Sequence, residues 1–200
     1  MAISAMFGVN GVGKDTVAEC LRYKQPEITV TSMSRLLMYI LGITTTYDVR
    51  EKVREEQYKR LEKVPQETMI KLEQEEYRYL LEKISQNEGA VLVLSHLISA
   101  LRHGDKVQYL KERKIPDWFL ELSENLIQLV APADVISQRR FRDTSRNRNS
   151  DIEQILEHQA LCNQEWERIE NSSILIKRKM QIVENVDLEV ASCEVARVLF

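Results

Sequence analysis

The chain has 200 residues, of which 44% are hydrophobic and 30% are charged. This length and apolar content suit a single α/β domain with a buried core. Its 28 basic and 31 acidic residues give a net charge of −3, so no overall positive field draws the chain to nucleic acid or to an anionic membrane. No apolar run reaches the roughly 20 residues that a membrane span needs. We therefore expect neither of these partners.

The cysteines and the first residues indicate the compartment. Cys20, Cys162 and Cys193 are odd in number and far apart, which fits neither a disulfide framework nor a zinc site and predicts buried free thiols in a reducing environment. The N-terminal apolar run leads straight into a glycine-rich stretch, so it lacks the form of a signal peptide. Both observations favour a cytoplasmic location.

The strongest motif follows a short apolar run at residues 2–7 and precedes a segment with helical spacing at residues 15–23. It reads Gly8-Val9-Asn10-Gly11-Val12-Gly13-Lys14. A strand, a glycine-rich loop and a helix in that order form a phosphate-binding loop, in which backbone N–H groups converge on phosphate oxygens and the lysine adds a full charge. Asp15 stands where the strict pattern has Ser or Thr, and a hydroxyl follows at Thr16. The motif predicts binding of a nucleoside triphosphate.

The next segments alternate between strand and helix. Residues 27–31 are rich in β-branched side chains and predict a second strand. Residues 32–41 predict a helix with Ser32 as candidate N-cap and Gly42 after its end. Residues 48–87 read as charged helix interrupted at Pro65.

Within that charged region two arginines stand out. Arg50 and Arg54 are four residues apart, which would place them on one face of a helix. Two interpretations of this pair are equally open: the arginines lie on a solvated surface, or they form a shared anion-binding site.

The clearest buried strand covers residues 90–95, because its continuous apolar run is typical of a central parallel strand. His96 follows at the carboxyl end, where open α/β sheets bind ligands; a structural role and a ligand contact are both open for it. Residues 124–131 predict a fourth strand. For the fifth, residues 173–176 compete with residues 181–184, and we prefer the second because residues 186–200 then form a closing helix.

An arginine-rich segment follows the fourth strand. Residues 139–148 contain no lysine and five arginines: Arg139, Arg140, Arg142, Arg146 and Arg148. Arginine favours planar, bidentate contact with phosphate oxygens. The following residues, 151–170, are rich in acidic side chains, whereas a nucleic-acid surface has a basic surround. The segment therefore predicts a clamp on a transferring phosphoryl group, followed by a helix from Ser150 as N-cap to at least Ile169.

Together these motifs resemble the nucleoside monophosphate kinase group and, within it, the archaeal-type adenylate kinase family. The glycine loop resembles that family's nucleotide loop, and residues 50–54 resemble its monophosphate-binding segment. Residues 139–148 with Glu157-His158-Gln159 are similar to its arginine lid and the helix after it, and Ser95-His96 also fits its pattern. The resemblance implies an α/β, three-layer P-loop kinase fold in which a five-stranded parallel sheet has helices on both faces. It also implies one domain over residues 1–200, with a helical monophosphate-binding region at 45–88 and a lid at 139–150.

The resemblance further implies an enzyme that transfers the γ-phosphoryl group of ATP to AMP, with Mg²⁺ as cofactor. The catalytic residues would be Lys14, Arg139, Arg140, Arg146 and Arg148. The loop residues 8–16 would hold ATP, with Thr16 and Asp15 on the Mg²⁺ side. The acceptor would be held by Ser32, Ser34, Arg50, Arg54 and His96. Family likeness and the long amphipathic helices also favour a homo-oligomer.

Two positions depart from the family pattern. Leu94 ends the central strand where the family has an aspartate, and Asp15 replaces the usual Thr, Ser or Gly beside the lysine. A Lys-Asp pair is seen in relatives that phosphorylate other acceptors, such as phosphomevalonate kinase and viral deoxynucleotide kinases. Two alternatives therefore remain: a small-molecule kinase with another phosphorylated acceptor, and a nucleotide-binding regulatory protein without turnover.

Overall fold

The computed structural model describes residues 3–9, 11–50, 53–88, 90–94, 117–142, 151–172 and 179–200. The strands in these ranges are β1 (Ile3–Phe7), β2 (Thr29–Ser32), β3 (Val91–Leu94), β4 (Ser123–Val130) and β5 (Lys179–Glu184). The helices are α1 (Lys14–Lys24), α2 (Met33–Ile40), α3 (Glu55–Glu62), α4 (Gln66–Glu88), α5 (Asp117–Leu122), α6 (Ala133–Arg142), α7 (Ile152–Glu170) and α8 (Leu188–Leu199).

The five strands form one sheet in the order β2-β3-β1-β4-β5. Each neighbouring pair is parallel. The chain leaves the central strand β1 toward β2, returns to β3, and then crosses to β4 on the other side. The carboxyl end of β1 therefore lies where the connections reverse direction, which is where open α/β sheets bind ligands.

Helices cover both faces of the sheet. On one face the core includes Val17 of α1 and Val195 of α8; on the other it includes Leu36 of α2, Leu81 of α4 and Trp166 of α7. Strands β1 and β3 are buried along their whole length, and they are apolar except for Ser4 of β1, as is typical of a covered parallel strand. The predicted three-layer α/β fold with a five-stranded parallel sheet is confirmed.

None of the helices in the described ranges is both long enough and apolar enough to cross a membrane.

The second candidate for the fifth strand is confirmed, since β5 contains residues 181–184; the first candidate, 173–176, lies outside the described residues. Ser32 is confirmed as N-cap of α2, because its Oγ accepts a hydrogen bond from Arg35 N at 3.2 Å. The predicted N-cap of the long helix is wrong. Asp151 caps α7, and its carboxylate accepts from Glu153 N at 3.0 Å.

The helix predicted from residue 48 onward is also wrong at the described residues 48–50 and 53–54. Arg50 lies in a turn, and Arg54 has an extended backbone as the N-cap of α3. The Asp48 carboxylate accepts a hydrogen bond from Arg50 N at 2.7 Å, a local bond that competes with the helical pattern. Val49 N donates to Val30 O of the edge strand β2 at 3.0 Å. This segment therefore follows the sheet edge, and Arg50 and Arg54 do not share a helical face.

All three cysteines have free thiols, as predicted, but they are not all buried. Cys162 is buried, Cys20 is partly buried and Cys193 is exposed, because Cys193 lies on α8 away from the core-facing residues Val195 and Val198.

Candidate functional site

The glycine-rich loop directly follows β1 and packs tightly against its neighbours. Gly8 and Gly13 have φ values of 149° and 100°, which other residues rarely adopt. A Cβ atom on Gly8 would lie 2.4 Å from Leu129 O, and one on Gly13 would lie 2.5 Å from Asn185 Nδ2. Both backbone conformation and space therefore require glycine at these two positions.

The loop ends at the N-terminus of α1, where Lys14 lies. Gly13 is the N-cap residue, so no side chain there bonds to the amides of the first turn. Lys14 is only 3% exposed, and its Nζ donates to Gly8 O at 2.6 Å and to Val9 O at 3.0 Å. The helix N-terminus and this ammonium group, held against the loop backbone, form an anion-binding arrangement.

Two of the predicted lid arginines reach the loop from α6. Arg139 Nη1 donates to Val12 O at 3.0 Å, and its Nη2 donates to Asn185 O at 2.9 Å. Partial burial lowers the pKa of Arg139 from its ordinary value. Arg140 is only 5% exposed, and its Cγ would lie 2.9 Å from a Cβ atom on Gly11. Of the other predicted clamp residues, Arg146 and Arg148 lie outside the described residues.

Helix α7 closes the same region. His158 is half-buried, and among the described residues its Nδ1 has no hydrogen-bond partner. Burial lowers the pKa of His158, the charge of Arg140 lowers it further, and Glu157 opposes both. One turn later, burial raises the pKa of Cys162 to about 11, with the charge of Lys14 acting in the opposite direction.

The predicted Mg²⁺ ligands Asp15 and Thr16 are exposed in the first turn of α1. Both offer oxygen atoms, and Mg²⁺ commonly takes one or two carboxylates together with substrate phosphates and water. These residues therefore fit the ion. In the described ranges no group of three or more His, Cys, Asp or Glu side chains could hold a metal.

The predicted acceptor residues are not all brought together. Ser32 and Ser34 lie at the start of α2, at the carboxyl edge of the sheet. Arg50 forms an ion pair with Asp48 at 2.7 Å, and the Arg54 side chain is 81% exposed. His96 lies outside the described residues.

Two polar residues at this edge were not predicted from the sequence. Arg35 is 4% exposed in the first turn of α2. The helix dipole disfavours a cation there, and this unfavourable position was the sequence signal that could have identified Arg35. Asn185 is 2% exposed and directly follows β5. Its position at the carboxyl end of a strand was a signal of a site residue. Its contact with the loop could not be predicted, because the two are far apart in sequence.

Solved structures share this fold. Shikimate kinase from Bacteroides thetaiotaomicron is similar with 13% identity and a TM-score of 0.56, covering 99% of this chain and 98% of that one. The tunicamycin resistance protein of Deinococcus radiodurans is similar with 17% identity and a TM-score of 0.53, covering 98% and 94%. No family model matches the chain, and no curated protein matches its sequence. The chain therefore has a P-loop kinase-like fold.

Proposed function

We propose that the chain is an ATP-dependent nucleoside monophosphate kinase that acts as an adenylate kinase and converts ATP and AMP into two ADP. The observation that carries this proposal is the convergence of two buried cations, Lys14 and Arg140, on the glycine loop. The N-terminus of α1 at the end of this loop also attracts anions, so the arrangement suits the negatively charged phosphate groups of a nucleotide.

The reaction would be an in-line transfer in which positioning and charge neutralisation lower the barrier. The loop amides and the first turn of α1 bind the β-phosphate, and Lys14 lies between the β- and γ-phosphates. Arg140, with Arg146 and Arg148 of the predicted lid, stabilises the charge of the transferring group.

When bound, Mg²⁺ would neutralise charge on the β- and γ-phosphates, held by Asp15 and Thr16. The positive end of the α1 dipole stabilises the negative charge of Asp15. Its negative charge would repel the phosphates unless a cation lies between them.

The end of strand β3 supports a phosphorylated acceptor. A monophosphate is ionised at neutral pH, since its second pKa is about 6, and so it needs no general base. A hydroxyl acceptor does benefit from one, and β3 ends in the fully buried Leu94, which cannot act as a base. Ser32 and Ser34 lie on the acceptor side, where the nearby Arg35 adds positive charge.

A second candidate is a kinase that phosphorylates another small molecule. Asp48 holds Arg50, and Arg54 is exposed beside Glu56, so this pair does not form a ready site for an acceptor phosphate. The neighbour named shikimate kinase, which shares the fold, supports a small-molecule acceptor.

The test is a coupled ADP assay with Mg-ATP and a panel of acceptors: AMP, the other nucleoside monophosphates, and small molecules with and without a phosphate. We expect turnover that is selective for AMP and lost in Lys14→Ala. Transfer to another acceptor would favour the second candidate. ATP binding without transfer to any acceptor would contradict both and favour a nucleotide-binding regulatory protein.

A further inference from the structure

The carbonyl group of Val12, one residue before the last glycine of the loop, accepts two side-chain hydrogen bonds. Asn185 Nδ2 donates to Val12 O at 2.7 Å, and Arg139 Nη1 donates to the same oxygen at 3.0 Å. The two donors come from different parts of the fold, the segment after β5 and the helix α6.

The two donors are themselves fixed. Asn185 N donates to Val130 O of β4 at 2.7 Å, and Arg139 Nη2 donates to Asn185 O at 2.9 Å. Asn185 Oδ1 is buried without a hydrogen-bond partner among the described residues, which is unfavourable for stability. The Asn185 side chain thus makes its hydrogen bond to Val12 O in an orientation that leaves Asn185 Oδ1 unsatisfied.

Fixing this carbonyl also sets the direction of the next amide. Val12 C=O and Gly13 N–H belong to one planar trans peptide unit, in which they point in opposite directions. With its oxygen held against Asn185 and Arg139, the unit aims Gly13 N–H away from those side chains. Gly13 has no Cβ atom, and one would lie 2.5 Å from Asn185 Nδ2, so the Asn185 side chain packs directly against Gly13.

We propose that Asn185 and Arg139 are positioning residues that hold the Val12–Gly13 peptide so that Gly13 N–H donates to a phosphate oxygen of the bound nucleotide. The inference rests on the proposed nucleotide site but not on the identity of the acceptor. It also gives Arg139 a role distinct from that of Arg140, which lies against Gly11.

Binding measurements separate this role from general stability. In Asn185→Ala the dissociation constant for ADP should rise about tenfold, as expected for loss of one well-placed hydrogen bond. Affinity for adenosine, which has no phosphate, should stay unchanged. The matched control is Asn171→Ala, because Asn171 Nδ2 also donates to a backbone carbonyl, Glu167 O at 2.8 Å, but is exposed. It should bind both ligands like the wild type.

Arg139 gives an independent variant if Asn185→Ala folds poorly. Arg139→Gln should weaken ADP binding selectively, and Arg139→Lys should weaken it less because lysine keeps the positive charge and most of the side-chain length. Arg197→Gln is the control for the lost charge, since Arg197 is exposed in the last turn of α8.

A spectroscopic readout addresses the amide directly. Val12–Gly13 is the only Val-Gly pair in the sequence, so labelling valine with carbonyl ¹³C and glycine with ¹⁵N gives one selective NMR signal. In the wild type, ADP should move the Gly13 amide proton downfield, and adenosine should not. In Asn185→Ala and Arg139→Gln the shift at saturating ADP should be much smaller.

Three results would overturn the inference. One is an equal loss of ADP and adenosine affinity, which a merely structural role would produce. Another is unchanged ADP affinity in both variants, and the third is an unchanged Gly13 shift. If the wild type itself bound no ADP, the proposed function would fail as well, so the two failures are distinguishable.

Discussion

At the scale of single residues, the proposed nucleotide site combines a helix N-terminus with two buried cations at the glycine loop. Lys14 and Arg140 are 3% and 5% exposed, so their charges act where little water screens them and electrostatic interactions are stronger. The carbonyl oxygens of Gly8 and Val9 partner Lys14 in the structure. A negatively charged ligand would be a stronger partner than neutral carbonyls.

The guanidinium shape of Arg140 should matter more for turnover than for ATP binding. Lysine keeps the charge but loses planar, bidentate donation, and removing one preorganised donor typically lowers kcat about 100-fold or more. Arg140→Lys should therefore lower kcat by about 100-fold and change the ATP dissociation constant by less than about threefold. Steady-state kinetics and calorimetry check this, and equal losses in both would exclude a phosphoryl clamp.

The pKa of His158 predicts a loss of stability in acid. Burial, then Arg140, lower this pKa below the ordinary 6.5. As the pH falls below 6.5 the unfolded chain binds the proton first, so the folded state loses stability progressively through its own lower pKa. His158→Gln has no such proton uptake. Its Tm should fall less than that of the wild type between about pH 7 and about pH 5; parallel curves would contradict the assignment.

At the scale of elements, Asp48 attaches the segment before α3 to the rest of the fold. Its carboxylate accepts from Arg22 of α1 at 3.3 Å and from Arg50 Nε at 2.8 Å, besides the Arg50 backbone. These bonds hold the segment beside β2, and the edge strand gains a partner through Val49.

Removing that carboxylate should therefore destabilise the protein. Asp48→Ala should lower the free energy of unfolding by about 2 kcal/mol, because it removes hydrogen bonds between charged groups at a largely buried position. Urea denaturation measures this change. Glu56→Ala is the control, since its pair with Arg54 is long, 3.9 Å, and exposed; such pairs contribute little. Equal effects of the two substitutions would contradict the anchoring role of Asp48.

Strands and helices were predicted well from the sequence where the hydrophobic pattern determines them. Five strands and the Ser32 cap were correct because burial and capping are local signals. Residues 48–54 were misjudged, since their helical charge spacing is overridden by the Asp48 turn and by pairing with Val30. Tertiary hydrogen bonds of this kind leave no periodic pattern.

At the scale of the whole molecule, the strand order brings distant residues to one edge of the sheet. Residues 8–14 were recognisable as a contiguous motif, and Arg140 was predicted with its segment. Asn185 was not, because its bond to Val12 spans 173 residues in sequence. The single-domain division with a lid at 139–150 and the homo-oligomer remain predictions.

The proposed reaction is the transfer of the γ-phosphoryl group of ATP to AMP. ³¹P NMR of the wild type with Mg-ATP and AMP tests it most directly. We predict that the ATP β-phosphate signal decreases to an equilibrium level while ADP signals grow, and that Lys14→Ala abolishes this change. ATP that binds but keeps its three phosphate signals, with AMP unchanged, would contradict the account.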